Sequence, residues 1–291
     1  MERGAIRVGV GGWTYEPWRG TFYPDKWPQK RELEFASRQL TAIEINGTYY
    51  STFKPASFAA WRDATPDGFK LTVKGSRFCT NRKVLGDAGE GVARFCAQGL
   101  TELGPKLGPI LWQFMATKRF DPDDFAAFLQ LLPRSQDGVK LRHAVQPRHE
   151  SFACPEFVAV ARAAGVAIVY ADAASYPAVA DVTAPFVYAR LEQAAEEVET
   201  GYAPDALDRW AAAARSWAEG GQPAGLPYAC SERAPAVPRE TFVFFINGEK
   251  VRAPAGAQAL IARLQGVSSP PAGASIARSG ALARSAAQTR S

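Results

Sequence analysis

Residues 186–192 read Phe186-Val187-Tyr188-Ala189-Arg190-Leu191-Glu192, a β-rich run that ends in charge. Side chains two apart on a strand share a face, so Tyr188, Arg190 and Glu192 form one polar row. Seven further β-rich runs cover 6–11, 41–45, 70–74, 110–114, 141–146, 167–171 and 242–246. Between them lie helical patterns over 30–39, 56–64, 91–103, 122–132, 155–164, 204–219 and 255–264. Such alternation is the pattern of a parallel α/β fold. The Asp121-Pro122-Asp123-Asp124 start supplies an N-cap, a first-turn proline and acids that suit the helix dipole.

A parallel crossover needs a dozen or more residues, usually with a helix. The 13 residues between Asp172 and Phe186 include Pro177 and Pro185, so a loop or a single turn is expected there. Eight strands within about 260 ordered residues predict an α/β fold of the TIM-type (β/α)8 barrel class. The barrel is expected to span 1–265, irregular between strands six and seven. The Ser/Ala/Arg-containing tail, 266–291, is expected to be disordered.

Composition narrows the function. With 47% hydrophobic and 22% charged residues among 291, the chain is neither collagen-like nor wholly disordered. Its net charge is +5, but three of those charges are Arg278, Arg284 and Arg290 in the acid-free tail, which leaves only +2 elsewhere. That is no global footprint for nucleic acid. No run reaches the roughly 18 apolar residues of a membrane span, and the N-terminus lacks an apolar signal region. Cys79, Cys96, Cys154 and Cys230 form no Cys-x-x-Cys pair, so reduced thiols in a cytoplasmic protein are expected. The Gly9-x-Gly11-Gly12 run fails the dinucleotide fingerprint because Thr14 stands where a third glycine is needed. No cofactor is expected.

In a barrel of this type chemistry sits at the C-terminal ends of the strands and in the loops that follow. Trp13, Tyr15 and Trp18 follow strand one, and strand two delivers Glu44 and Asn46 on one face, with Tyr49 and Tyr50 beyond. Strand three ends at Lys74 with Arg77 after it, and strand four carries Gln113. Strand five delivers Gln146 and Arg148, then His149; strand six ends in Asp172; strand eight ends at Asn247. Each residue has a plain structural explanation: Glu44 and Lys74 as halves of ion pairs, His149 as a hydrogen-bonded histidine, the aromatics as a lid. Their convergence on one end favours a pocket.

Taken together these segments resemble the YecE-like barrel proteins, domain-of-unknown-function family 72. The matching runs are Gly12-Trp13-Thr14-Tyr15 with Trp18-x-Gly20-x-Phe22-Tyr23-Pro24, and Glu44-Ile45-Asn46-x-Thr48-Tyr49-Tyr50. They continue with Phe69-Lys70-Leu71-x-Val73-Lys74, the 106–113 run ending in Leu111-Trp112-Gln113, and Arg148-His149-x-Ser151-Phe152. Phe186-Val187-Tyr188-x-Arg190-Leu191, Gly201-Tyr202 and Phe244-Phe245-x-Asn247 complete the series. The resemblance covers about residues 6–265 and implies a TIM-type barrel without a settled activity. It also implies three departures. Gln146 stands where the family has Glu; Glu192-Gln193 replaces His-Gly; Asn81 replaces a His after Thr80. A carboxylate and two histidines are thus exchanged, with Glu192 as a compensating carboxylate.

A metal site needs three or four converging His, Asp or Glu ligands, and here basic residues sit among the few available, so no metal is expected. The leading expectation is a metal-independent enzyme, or a divergent former enzyme, for a small anionic or sugar-like substrate. Arg148 and Arg190 would clamp the anion; Glu44 or Glu192 would be general base, with His149 as acid or orienter. Trp13, Tyr15, Asn46, Tyr49, Lys74, Gln113, Gln146, Asp172 and Asn247 would line the pocket. A non-catalytic nucleotide or single-stranded nucleic-acid binder is the first alternative, and a structural barrel without ligand the second.

Overall fold

The computed structural model describes residues 3–246 and 250–266. Eight parallel strands close into a barrel: β1 (Ile6–Gly11), β2 (Ala42–Ile45), β3 (Lys70–Lys74), β4 (Leu107–Gln113), β5 (His143–Gln146), β6 (Ala167–Asp172), β7 (Phe186–Leu191) and β8 (Glu240–Phe245). Neighbours in sequence are neighbours in space, and β8 returns to β1 with Ile6 beside Thr241. This is the TIM-type barrel that the alternating pattern predicts, and no helix interrupts residues 173–185. The expected disordered tail lies outside the described residues, apart from Gly266 at its start.

Some boundaries differ for local reasons. The pattern over 91–103 predicts one helix, but the α-helix is Gly89–Cys96, and a separate 3₁₀ segment, Leu100–Lys106, follows. The break falls at Gly99, whose φ of 111° is left-handed. A Cβ there would stand 2.6 Å from the Cα of Pro55, so only glycine fits. A two-stranded hairpin, Ser135–Gln136 with Val139–Lys140, precedes β5, which therefore starts at His143 instead of 141.

Period-two alternation divides the strand residues into two cores. Val8, Val10, Ile43, Ile45, Leu71, Val73, Ile110, Trp112 and Val145 join the large core between barrel and helices. Ala42, Leu111, Ala144, Ala167, Val169, Phe186, Tyr188, Phe242 and Phe244 form a second cluster inside the barrel. Branched aliphatics are the usual filling; here the rings of β7 and β8 fill space left by alanines on β2, β5 and β6. Tyr188 lies 5.1 Å from Phe244 and 6.1 Å from Phe242, centroid to centroid. Below this layer Glu240 takes Arg142 at 2.7 Å and Arg7 at 3.1 Å, an ionic plug at the N-terminal end.

Of the four cysteines, Cys79 and Cys96 are buried thiols, and burial pushes Cys79 up to about 11 and Cys96 up to about 12. Among the described residues no helix is long and apolar enough to cross a membrane.

His143 has its proton position fixed by its neighbours. The Trp112 indole N–H donates to Nδ1 at 3.1 Å, so the imidazole proton sits on Nε2 and is donated to the Pro133 carbonyl at 2.8 Å. Burial pulls its pKa down to about 4. The folded value is depressed, so the stabilisation is complete above the unfolded value of about 6.5 and is lost as pH falls through 4. At about 1.4 kcal/mol per pK unit, acidification from pH 7 to 4 costs about 3 kcal/mol through this residue. Denaturant unfolding of wild type and His143→Gln at both pH values checks it: wild type should lose about 2–3 kcal/mol more than the variant.

Candidate functional site

The C-terminal end of the interior is polar because five strands turn a polar residue inward there. Glu44, Lys74, Gln113, Gln146 and Arg190 each stand two residues beyond an interior residue, and all are buried. Arg190 is the hub. Its Nη2 donates to Glu44 Oε1 at 3.1 Å, and its Nη1 to Glu192 Oε1 at 2.7 Å and Gln146 Oε1 at 2.6 Å. Gln113 Nε2 also donates to Gln146 Oε1 at 2.8 Å, and Gln146 Nε2 donates to Glu192 Oε1 at 3.2 Å. Tyr188 donates its hydroxyl proton to Glu44 Oε2 at 2.6 Å, which leaves Thr72 as donor to the Tyr188 oxygen at 3.0 Å.

These bonds assign different chemistry to the two carboxylates. Both oxygens of Glu44 are occupied and the residue is fully buried, so it holds Arg190 and Tyr188 in place. Glu192 uses only Oε1, and its Oε2 has no hydrogen bond among the described residues. Of the two it is the carboxylate with an oxygen left open among the described residues. Burial works against the Arg190 charge, but Glu44 and Glu192 outweigh it and hold the guanidinium above its ordinary pKa. Arg190 is therefore the counter-ion of the network, with its fork already filled.

Lys74 is the opposite case. It is buried, with Nζ 4.5 Å from the Tyr49 ring centroid, and forms no ion pair among the described residues. Burial, reinforced by Arg190 and Arg148, pulls its pKa down to about 8 against the attraction of Glu44 and Glu192. Arg148 likewise has no carboxylate partner among the described residues: its guanidinium carbon lies 4.5 Å from the Tyr176 centroid, and its buried Nε meets no hydrogen-bond partner among them. The cluster thus presents two uncommitted cations.

A second compartment opens at Asn46, two residues beyond Glu44. Trp13, Tyr15, Asn46, Phe53, Trp61 and Lys250 help to line a cavity of about 350 Å³ at the ends of β1 and β2. Trp13 meets Trp61 edge to face at 5.5 Å, and Lys250 Nζ lies 5.6 Å from the Tyr15 ring centroid. Asn46 Oδ1 is buried there without a hydrogen-bond partner among the described residues. A side chain at Gly11 would stand 2.8 Å from Asn46 Nδ2, so that position stays bare.

Other residues of the sequence-based set lie elsewhere. Asp172 alternates with Ile168 and Tyr170, which belong to the helix-side core, and it accepts from Tyr202 at 3.0 Å and from Gln193. Burial raises its pKa, partly offset by those two donors. His149 caps the turn Glu150–Phe152: Ser151 N donates to its Nδ1 at 3.1 Å, and the Ser151 hydroxyl lies 2.9 Å from the same nitrogen. Arg77 is exposed above the rings of Tyr50 and Phe78. Asn247 lies outside the described residues. Thr72 and Tyr176 carry no signal in the sequence; Tyr188 stands there in the 188–190–192 row without an assigned role.

Residues 146 and 192 are coupled. A carboxylate introduced by Gln146→Glu would face Glu192 Oε1 across the present 3.2 Å contact, and two such groups cannot both ionise freely. In urea unfolding at pH 7, the cycle of Gln146→Glu, Glu192→Gln and the double variant should show a coupling above about 1 kcal/mol. Additivity within about 0.5 kcal/mol would contradict the contact.

A closed parallel barrel with its buried charge network at the C-terminal ends of the strands defines a TIM-type barrel protein whose mouth is its candidate site. The chain belongs to the family of proteins of unknown function DUF72, whose sequence profile matches residues 7–275. Among solved structures it is similar to a DUF72 family protein from Thermotoga maritima, with 23% identity and a TM-score of 0.71 over 90% of this chain and 99% of that one. A DUF72 family protein from Enterococcus faecalis is 16% identical, with a TM-score of 0.61 over 92% and 100% of the two chains. SacUVDE, 8% identical, has a TM-score of 0.53 over 90% and 99%. At these identities the likeness is one of fold. No curated protein matches the chain.

Proposed function

We propose that the barrel mouth binds a small anionic, sugar-like substrate without a metal, with Lys74 and Arg148 receiving the anion and Glu192 acting as acid or base. The observation that carries this reading is the division of cations. Arg190 is committed to Glu44 and Glu192, whereas Lys74 and Arg148 have no carboxylate partner among the described residues. Arg190 offsets only one of its two carboxylates, and the two uncommitted cations bring the whole cluster to a net positive charge that favours an anion. In this reading Arg190 holds the carboxylates, and the clamp role expected of it passes to Lys74. The aromatic compartment around Trp13 and Asn46 would take the uncharged part of the ligand, ring against ring.

The same compartment, with Lys250 beside Tyr15, also suits a nucleotide held without chemistry. Turnover separates the two readings. A thermal-shift screen of sugar phosphates, sugar acids, nucleotides and short oligonucleotides, run on wild type and Lys74→Met, tests the proposal. Sugar-based anions should raise the melting temperature of wild type and not of the variant. No shift with any compound, or equal shifts in both proteins, would overturn it.

A further inference from the structure

At the opposite end of the barrel, beside the starts of β5, β6 and β7, lies a groove of about 830 Å³ that plays no part in the mouth. That volume is typical of small-molecule sites, about 300–1,000 Å³. Its floor is aliphatic: Leu129, Leu132, Leu141 and Val166 are buried, with Val160 partly so and Phe186 at one end. Its lining carries four cations, Arg134, Lys140, Arg142 and Arg162, and no acidic side chain among the described residues. Arg142 is paired with Glu240 at 2.7 Å and Arg162 with Glu232 at 2.9 Å. Arg134 and Lys140 are exposed and make no ion pair among the described residues.

We infer that this groove is a second ligand site, taking a single-chain fatty carboxylate with its chain along the aliphatic floor and its head group at Arg134 and Lys140. An apolar floor gains from burying a hydrocarbon chain at about 25 cal/mol per Å². Two unpaired cations at its margin supply charge complementarity that a neutral chain would not use. The lining contains two aromatic rings, and both are engaged: Phe186 is covered by Arg142, with its guanidinium carbon 5.2 Å from the centroid, and the buried His143 stacks on Trp112. A flexible aliphatic ligand therefore fits the lining better than an aryl anion.

Calorimetric titration of the full chain with decanoate below its micellar concentration, and with decanol as the uncharged control, tests the site. The variants are Arg134→Glu/Lys140→Glu, which reverses the exposed charges, and Ala163→Trp, which fills the groove from an exposed lining position. Decanoate should bind saturably to wild type, at least tenfold more weakly to the charge variant, and at least tenfold more weakly to Ala163→Trp. Decanol should respond only to Ala163→Trp, and Lys74→Met at the far end should bind decanoate as wild type does. Absence of saturable decanoate binding overturns the inference, as does a loss confined to one of the two groove variants. A loss in Lys74→Met equal to theirs would place decanoate at the mouth and overturn it as well.

Discussion

Arg190→Met is expected to lower the melting temperature by about 6–20 °C. The substitution leaves Glu44 and Glu192 in the interior without their shared counter-ion, and breaking a buried pair by removing one partner typically costs about 3–5 kcal/mol. For a chain with about 260 described residues each kcal/mol corresponds to about 2–4 °C. Desolvated carboxylates can escape part of the penalty by taking up protons, so the loss should be smaller at pH 5 than at pH 7. Replacing all three charges, as Arg190→Met with Glu44→Gln and Glu192→Gln, should recover part of the stability, because a neutral set carries no uncompensated charge. Calorimetry on the single and triple variants at both pH values measures this. A single variant within about 2 °C of wild type at pH 7 would mean that Arg190 is not the hub of the network.

Lys74→Met is expected to act in two directions at once. The amine is buried beside Arg190 and Arg148 with a pKa of about 8, below the ordinary lysine value. A lowered folded value means that the charged amine costs stability at neutral pH. The cost is fully present below pH 8 and is relieved as pH rises from 8 towards 10.5. The variant should therefore be more stable than wild type at pH 7, by up to about 3 kcal/mol, and the gap should close by pH 10.5. The same variant should bind anions about 10–100-fold more weakly, since a charge-assisted hydrogen bond contributes about 1.5–3 kcal/mol. Wild-type affinity should itself fall as pH rises through 8, whereas the weak binding of the variant should not follow that titration. Unfolding free energies and ligand titrations across pH 6–10.5 check both halves. A less stable variant at pH 7 would show that Lys74 is an ordinary structural partner.

The barrel was legible in the sequence because each strand announces itself by length, composition and flanking helical pattern. The polar row Tyr188–Arg190–Glu192 was legible for a simpler reason: period two leaves no other face for it. Asp172 shows where that logic fails. The residues before it, Ala167 to Ala171, are apolar on both faces, so alternation carries no sign of which face turns inward. The roles of Glu44 and Arg190 were also hidden, since their contact spans 146 residues of chain. From sequence, any of several strand-end cations could have met any carboxylate. The cap made by His149 was accessible in principle, because Ser151 is only two residues away. Tyr176 was not, since it sits in the irregular segment before β7, where no periodicity fixes a side chain.

The assignment of Lys74 and Arg148 as the anion-receiving pair is tested most directly by titrating inorganic phosphate into wild type and Lys74→Met/Arg148→Gln at pH 7, with ionic strength held constant. Melting temperature is the readout, and Arg134→Glu/Lys140→Glu serves as the control for cations at the other end. Phosphate should raise the melting temperature of wild type and of the control saturably, and leave that of the mouth variant unchanged. An equal rise in the mouth variant, or no rise in wild type, would contradict the account.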